Sequence, residues 1–344
     1  MGSRQVTIDG NRFHALWLRD NCPCHECRHA SGQRLLDTRS LPDDLSIVAV
    51  DDSTVSFSDG HTSAFDHGWL RANAGEVPPR RRTLWGAEIQ HNLPVAGYAD
   101  VADRGGALLA WLAAIDELGF AILTGCPTEP GTVMRVAELF GYVRETNYGR
   151  LFDVKSVVNP ANLAYTGLGL GAHTDNPYRE PTPTLQLLHC LTSSTEGGDN
   201  TLVDGFRVAR DLAAEDFELL TRNPLRFRYA DADTELEAET PVLTLDARGE
   251  LEAVHYNTRS VQPFRLPEAL VGRYYEAYQR FGRMLEAPQY RIQFKLEPGD
   301  LFIVDNLRVL HGRTGYAPSG GERHLQGCYA DRDGLRSSLA VLSR

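Results

Sequence analysis

The sequence predicts a mainly β protein with inserted helices: a β-sandwich or jelly-roll barrel preceded by a small β-rich module. Two observations carry the barrel. Short runs rich in β-branched and aromatic residues recur between turn signals along most of the 344 residues. Helical periodicity surfaces only as a few inserts, which favours a sandwich or jelly roll over a parallel sheet. The third observation is a crowd of cysteines, Cys22, Cys24 and Cys27, that marks the N-terminal stretch as a module of its own.

In chain order, residues 6–8, 15–18, 46–50 and 54–57 read as short β runs. Asp51-Asp52 and Asp59-Gly60 mark turns among them. Around 75–95 the chain turns Pro- and Arg-rich, with Pro78-Pro79-Arg80-Arg81-Arg82 at its centre, and reads as a linker. Three arginines in an acidic chain suit a solvated segment or an internal salt-bridge donor better than a nucleic-acid patch. The domains expected are 1–90 and 91–344. The second begins with an amphipathic helix over 107–115, ended by Gly119, and an apolar strand over 120–123. A short helix follows near 133–140. Strands are expected over 185–191, 201–204, 225–229 and 242–245, and Ala247-Arg248-Gly249 turns the chain into 251–256. Runs at 291–296, 301–304 and 325–329 complete the set, and helices near 208–220 and 267–285 interrupt it.

Composition bounds the class. Hydrophobic content of 42% and charged content of 24% are those of a soluble globular protein. No apolar run approaches a membrane span and no signal-peptide pattern opens the chain, so a cytoplasmic location is expected. The net charge of −11 disfavours nucleic acid and anionic membranes as partners. Of the six cysteines, Cys126, Cys190 and Cys328 stand alone in apolar surroundings and read as core residues.

The clustered three read differently. A C-P-C-x-x-C loop presents three thiolates, and zinc needs a fourth nitrogen or sulfur to close a tetrahedron. His25, His29, His61 and His67 are the candidates. Adjacent spacing strains His25, whereas His61 would arrive from a separate hairpin and staple a module too small to bury much core.

The chemistry centres on His173-Thr174-Asp175. In an extended segment, residues i and i+2 share a face, so an imidazole and a carboxylate converge on one point. A second imidazole would complete the two-histidine, one-carboxylate set that holds non-haem Fe(II) with open positions. His311, after the apolar run 301–304, is the candidate. Arg323 follows it, and a 2-oxoacid cosubstrate needs such a bidentate cationic partner for its far carboxylate. An H-x-D tripeptide alone is weak among eleven histidines; the company it keeps lifts it.

With these residues in place, the chain resembles the γ-butyrobetaine dioxygenase group of Fe(II)/2-oxoglutarate oxygenases. The resemblance runs nearly end to end, through Trp17-Leu18-Arg19-Asp20-Asn21-Cys22-Pro23-Cys24, Asn162-Leu163-Ala164-Tyr165-Thr166, Gly197-Gly198-Asp199, Leu310-His311-Gly312-Arg313 and Arg323-His324-Leu325-Gln326-Gly327. It implies a double-stranded β-helix (jelly-roll) catalytic domain, a zinc-binding N-terminal domain and a homodimer. It assigns His173, Asp175 and His311 to iron, and Cys22, Cys24, Cys27 and His61 to structural zinc. Arg323, with Thr201, would take 2-oxoglutarate, and O2 would be the other cosubstrate. The implied substrate is a small quaternary-ammonium acid, most simply γ-butyrobetaine on its way to carnitine. A trimethylammonium group donates no hydrogen bonds and is held by aromatic faces, and the cage positions fall on Tyr148, Phe152, Tyr165 and Tyr329. Asn162 would bind the anionic end, with Asn257 and Arg259 as further candidates. Two departures stand out: Phe152 occupies a position often held by Trp, and Asn176 one that is aromatic in some members. The more polar pocket keeps 2-(trimethylammonio)ethylphosphonate open as an alternative substrate, with trimethyllysine as a third relative. A non-catalytic zinc-containing binding protein with a degenerate barrel is the reading from another class, but it would usually have lost one of His173, Asp175, His311 or Arg323.

Overall fold

The structure, a computed structural model, describes residues 2–76, 80–155, 166–317 and 321–344. Its contacts divide the chain into two units, Met1–Arg80 and Arg81–Arg344.

The first unit is two small sheets and two short helices. Gln5–Ile8 pairs with Asn11–His14 through a turn in which Asp9 and Gly10 both take positive φ. Ile47–Asp51, Thr54–Phe57 and Thr62–Ala64 form an antiparallel three-stranded sheet. The expected turns fall where Asp52 and Gly60 adopt positive φ. Residues 15–18 are helical rather than extended. The His14 side chain accepts the Leu16 N–H and caps a helix over Ala15–Asp20, a local hydrogen bond that β propensity does not register. Phe13, Leu18, Leu45, Val55, Phe57 and Phe65 supply the core.

The second unit carries two larger sheets. One has six strands in the order Val95–Gly97, Phe120–Thr124, Leu301–Asp305, Leu185–Ser193, Arg323–Ala330 and Phe152–Lys155. The other has four: Arg291–Phe294, Asn200–Asp204, Val309–Arg313 and Leu170–His173. All neighbours are antiparallel except Val95–Gly97 with Phe120–Thr124. Alternation along Leu185–Ser193 separates two environments. Leu185 and Leu187 join Leu108, Trp111 and Leu112 under the helix Gly106–Leu118, while Gln186 and Leu188 face a cavity. Gly119 ends that helix in the left-handed conformation, at φ 82°, as expected of a helix-terminating glycine. A second core gathers Phe206, Leu220 and Phe227 against Tyr274, Tyr278 and Phe281 of the helix Glu268–Leu285.

Two other expectations need correcting. The helix expected over 208–220 is two helices, Gly205–Arg210 and Ala214–Arg222, the first capped by the Asp204 carboxylate. The expected linker is largely structured within the second unit. Trp85 is buried, lies 4.9 Å from Phe120 ring to ring, and donates its indole N–H to the Leu118 carbonyl. The arginines act as internal donors: Arg81 pairs with Glu117, and Arg82 stacks on Phe206. Among the described residues no helix is long and apolar enough to cross a membrane.

Candidate active site and metal centres

The strand pair Leu170–His173 and Val309–Arg313 sets the catalytic geometry, because its register places His311 directly opposite His173. The chain leaves the strand at His173 and brings Asp175 round to the same point. The His173 Nε2 lies 3.3 Å from one Asp175 oxygen and the His311 Nε2 lies 3.9 Å from the other. Two donors bound at right angles to an ion about 2.1 Å away sit roughly 3 Å apart, so the three fit one metal ion. The tautomer fits as well. His173 uses Nδ1 on the Gly171 carbonyl at 2.9 Å, which leaves Nε2 for a metal.

Neighbouring groups hold the H-x-D segment in shape. The Asn306 amide brackets Asp175, accepting its N–H at 2.7 Å and donating to its carbonyl at 2.9 Å. Asn257 donates to the Thr174 carbonyl, and Asn176 takes φ 56° immediately afterwards. The Glu286 carboxylate accepts the Ala172 N–H on the open edge of the strand. One Asp175 oxygen accepts from Gln186 at 2.5 Å and from the Tyr329 hydroxyl at 2.9 Å.

Burial opposes ionisation of Asp175, yet its interactions with His311, the hydrogen bond from His173 and the nearby Arg259 hold its carboxyl well below the usual range. Burial pushes His311 down to about 3, with His173 and Arg259 adding to the effect and Asp175 opposing it. At neutral pH this gives a carboxylate and a neutral imidazole, the forms that bind a divalent ion. Burial and the Asp175 charge push Tyr329 well up, so its hydroxyl stays protonated and donates.

The three donors open onto a cavity of about 450 Å³. Of the expected substrate residues, Tyr148, Phe152, Asn176, Asn257, Arg259 and Tyr329 line it, whereas Asn162 and Tyr165 lie outside the described residues. Asn257 has little left to offer a ligand, since its carbonyl oxygen accepts the Arg259 N–H while its amide serves Thr174. Arg323 lines the cavity and is buried. Its Nε reaches the Gly198 carbonyl and one terminal nitrogen reaches Asn200, but Nη1 has no partner among the described residues. Thr201 is buried on the strand beside Gly312, and the cavity wall there is Asn200.

Several lining residues were not anticipated. Tyr178 and Tyr229 stack at 5.2 Å and 25°, and Tyr229 meets the edge of Tyr148 at 5.7 Å. Tyr148, Phe152 and Tyr329 continue the series at 6.1 and 5.2 Å. Arg228 and Arg313 also line the space. Gln186 did have a sequence signal, as a lone amide in an apolar strand, which burial tolerates only when it is bonded. Tyr229 had none, because its neighbours are distant in sequence.

In the N-terminal unit, Cys22, Cys24, Cys27 and His61 converge. The three sulfurs lie 3.2, 3.6 and 3.8 Å from the His61 Nε2. Donors on a tetrahedral zinc ion stand about 3.5 Å apart. Arg19 donates to the Cys27 sulfur at 3.2 Å and to Asp59 at 2.7 Å, and Asp59 accepts the His61 N–H. Burial pushes the Cys27 thiol up to about 11, against the pull of Arg19. The set fits structural zinc, which needs the thiolate.

Fold and site together define a jelly-roll oxygenase with a candidate His-Asp-His facial triad. Residues 77–329 match the taurine catabolism dioxygenase TauD, TfdA family, and the chain belongs to it. Residues 6–71 match the gamma-butyrobetaine hydroxylase-like N-terminal family. The chain is 39% identical to a gamma-butyrobetaine dioxygenase of Pseudomonas sp. (strain AK-1), over 96% of this chain and 91% of that one. It is 30% identical to the gamma-butyrobetaine dioxygenase of Homo sapiens, with the same coverage. It is 33% identical to the mitochondrial trimethyllysine dioxygenase of Bos taurus, over 96% and 83%. An asparagine oxygenase structure shares the fold, with a TM-score of 0.52 and 21% identity over 71% of this chain and 88% of that one. The protein is an Fe(II)/2-oxoglutarate-dependent dioxygenase with a zinc-binding N-terminal domain.

Proposed function

We propose that the enzyme hydroxylates γ-butyrobetaine to carnitine. The observation that carries this reading is the unbroken series of rings, Tyr178, Tyr229, Tyr148, Phe152 and Tyr329, beside the His-Asp-His set. Aromatic faces are what a trimethylammonium group binds, and both relatives named for γ-butyrobetaine span nearly the whole chain.

In this reading His173, Asp175 and His311 hold Fe(II), and Cys22, Cys24, Cys27 and His61 hold zinc. Iron with 2-oxoglutarate and O2 supplies oxidative decarboxylation to succinate and CO2 coupled to hydroxylation of a C–H bond. The chain's own residues do the placing. Arg323 offers its unpartnered Nη1 to the far carboxylate of 2-oxoglutarate, and Gln186 and Tyr329 orient the Asp175 carboxylate. The rings take the cation, while Arg259, with Asn162, takes the substrate's anion. The remaining expectation is a cytoplasmic homodimer, checked by sedimentation.

A second reading has its own observation. The Arg259 guanidinium lines the cavity and makes no hydrogen bond or ion pair to a described residue, whereas Arg228, which lines the same cavity, is already paired with Glu235 at 2.9 Å. A dianionic phosphonate would use that positive charge more fully than a carboxylate, so 2-(trimethylammonio)ethylphosphonate is the alternative substrate. Trimethyllysine fits less well, because its α-ammonium needs an acidic partner. Among the described lining residues the only carboxylate is Asp175, which is already committed to iron.

The test is turnover of the Fe(II) enzyme with 2-oxoglutarate and each trimethylammonium compound in turn, with succinate and hydroxylated product both quantified. Succinate matched by carnitine is expected. Product from the phosphonate alone would move the assignment to phosphonate catabolism, and product from trimethyllysine alone would overturn both readings.

A further inference from the structure

Two of the cations lining the cavity share one ring. The guanidinium carbon of Arg313 lies 5.2 Å, and that of Arg323 lies 5.7 Å, from the centroid of Tyr316. Tyr316 is buried and belongs to neither metal set. Its backbone is fixed independently of either arginine: its N–H donates to the Gly167 carbonyl at 2.9 Å, and it bridges to Gly197. Arg313 is tied down by the carbonyls of Thr166 and Leu168. Gly198 makes room on the Arg323 side. It takes φ 70°, and a Cβ there would lie 3.0 Å from the Arg323 Cδ and 3.2 Å from the Tyr316 Cδ1. Only glycine lets stem, ring and backbone approach so closely.

Arg323 itself is lightly held. Its hydrogen bonds to Gly198 and Asn200 are 3.2 and 3.3 Å long, at the far end of the useful range, and its further side-chain hydrogen-bond partner is Tyr316. Burial lowers its pKa, and Tyr316 works against that shift. Tyr316 therefore supplies, through its side-chain hydrogen bond and its ring face, a restraint that the other two bonds do not, and the ring accommodates two like charges that would otherwise repel.

We propose that Tyr316 is a positioning residue for 2-oxoglutarate: its ring holds the Arg323 guanidinium so that Nη1 is presented to the far carboxylate of the cosubstrate. This rests on the reading of Arg323 as the clamp for that carboxylate. Tyr316 does not touch the reacting atoms.

The experiment is anaerobic calorimetry of the Fe(II) enzyme with 2-oxoglutarate and, separately, with oxalate, which chelates iron but has no distal carboxylate. Tyr316→Leu is expected to raise the 2-oxoglutarate Kd about tenfold, the scale of a desolvated cation–π contact, and to leave the oxalate Kd unchanged. Tyr316→Phe keeps the ring but loses the hydroxyl, and its 2-oxoglutarate Kd is expected to fall between wild type and Tyr316→Leu. In turnover the Leu variant should raise the KM for 2-oxoglutarate while kcat at saturation is kept. If the Leu variant does not fold, phenylalanine analogues with successively more ring fluorines at 316 preserve shape while weakening the ring quadrupole. A graded loss of 2-oxoglutarate affinity is then expected. Equal weakening of oxalate and 2-oxoglutarate would mean a merely structural role and overturn the proposal, as would an unchanged 2-oxoglutarate Kd in Tyr316→Leu. Arg323→Ala is the control. If it binds 2-oxoglutarate like wild type, the clamp reading fails first and the proposal falls with it.

Discussion

The cysteine–histidine cluster draws four donors from a loop and a hairpin; Arg19 donates to one of them, the Cys27 sulfur, and Asp59 holds the His61 backbone N–H. The His173–Asp175–His311 set has three donors, and the space beyond them is a cavity lined by rings and guanidiniums. Donor number and surroundings suit the two sets to different roles. Three thiolates and an imidazole would close a zinc tetrahedron and leave nothing for a substrate, whereas three mixed donors would leave iron open positions. The supporting shells differ in the same sense. Arg19 and Asp59 tighten a staple, while Gln186 and Tyr329 aim one carboxylate and leave the rest of the coordination sphere accessible.

The contrast breaks most visibly when a donor is removed from each side. Cys22→Ser should release zinc and unfold the N-terminal unit, because structural zinc contributes on the order of 10 kcal/mol to small modules. Loss of the tryptophan signal from Trp17 and Trp69, together with elemental analysis, reads this out. His311→Ala should abolish turnover and keep zinc at wild-type content; zinc loss there would mean that the two sites are not separate. A smaller effect is expected one layer out. Gln186→Leu should weaken iron about 10–100-fold, the usual scale for the loss of a ligand-orienting group, as measured by anaerobic Fe(II) titration. Unchanged affinity would show that Tyr329 alone orients Asp175.

Within the cavity, Tyr229→Leu should raise the KM for the trimethylammonium substrate about tenfold and leave the KM for 2-oxoglutarate alone. Equal changes in both would remove Tyr229 from the substrate wall. The smallest effect concerns pH. Hydrogen bonds to Asp52 and then Asp9 raise the His67 pKa. The stability they contribute is complete below about pH 6.5, the unperturbed value, and fades as pH rises through the raised one. Thermal melting of the zinc-loaded protein should therefore decline over that window in wild type, and be flatter in His67→Gln. Parallel curves would contradict the assignment.

How far these sites were legible follows from the range of the contacts involved. The metal donors are near one another in sequence or carried by recognisable blocks, so Cys22, Cys24, Cys27, His173 and Asp175 stand out in the bare sequence. The helix Gly106–Leu118 and the strand Leu301–Asp305 are legible for a similar reason, being long or strongly apolar. Tyr229 is not, because it reaches the cavity from the hairpin formed by Pro224–Ala230 and Glu235–Pro241, whose second strand is acidic and resembles a loop. The strand Phe152–Lys155 escaped as well, and Leu170–His173 entered only as the extended segment that the H-x-D pair needs, although the strand ends at His173. Both are edge strands of four residues, and tertiary pairing rather than propensity makes them β. Residues 15–18 misled for a related reason, since a single side-chain cap turns an apolar run into a helix.

The most direct test of the two-centre account is metal content and turnover measured before and after dialysis against a chelator, then after adding Fe(II) back. The account predicts one zinc per chain that survives dialysis, together with iron that leaves, taking 2-oxoglutarate turnover with it, and restores it on return. Turnover that persists without iron, or zinc and iron leaving together, would contradict it.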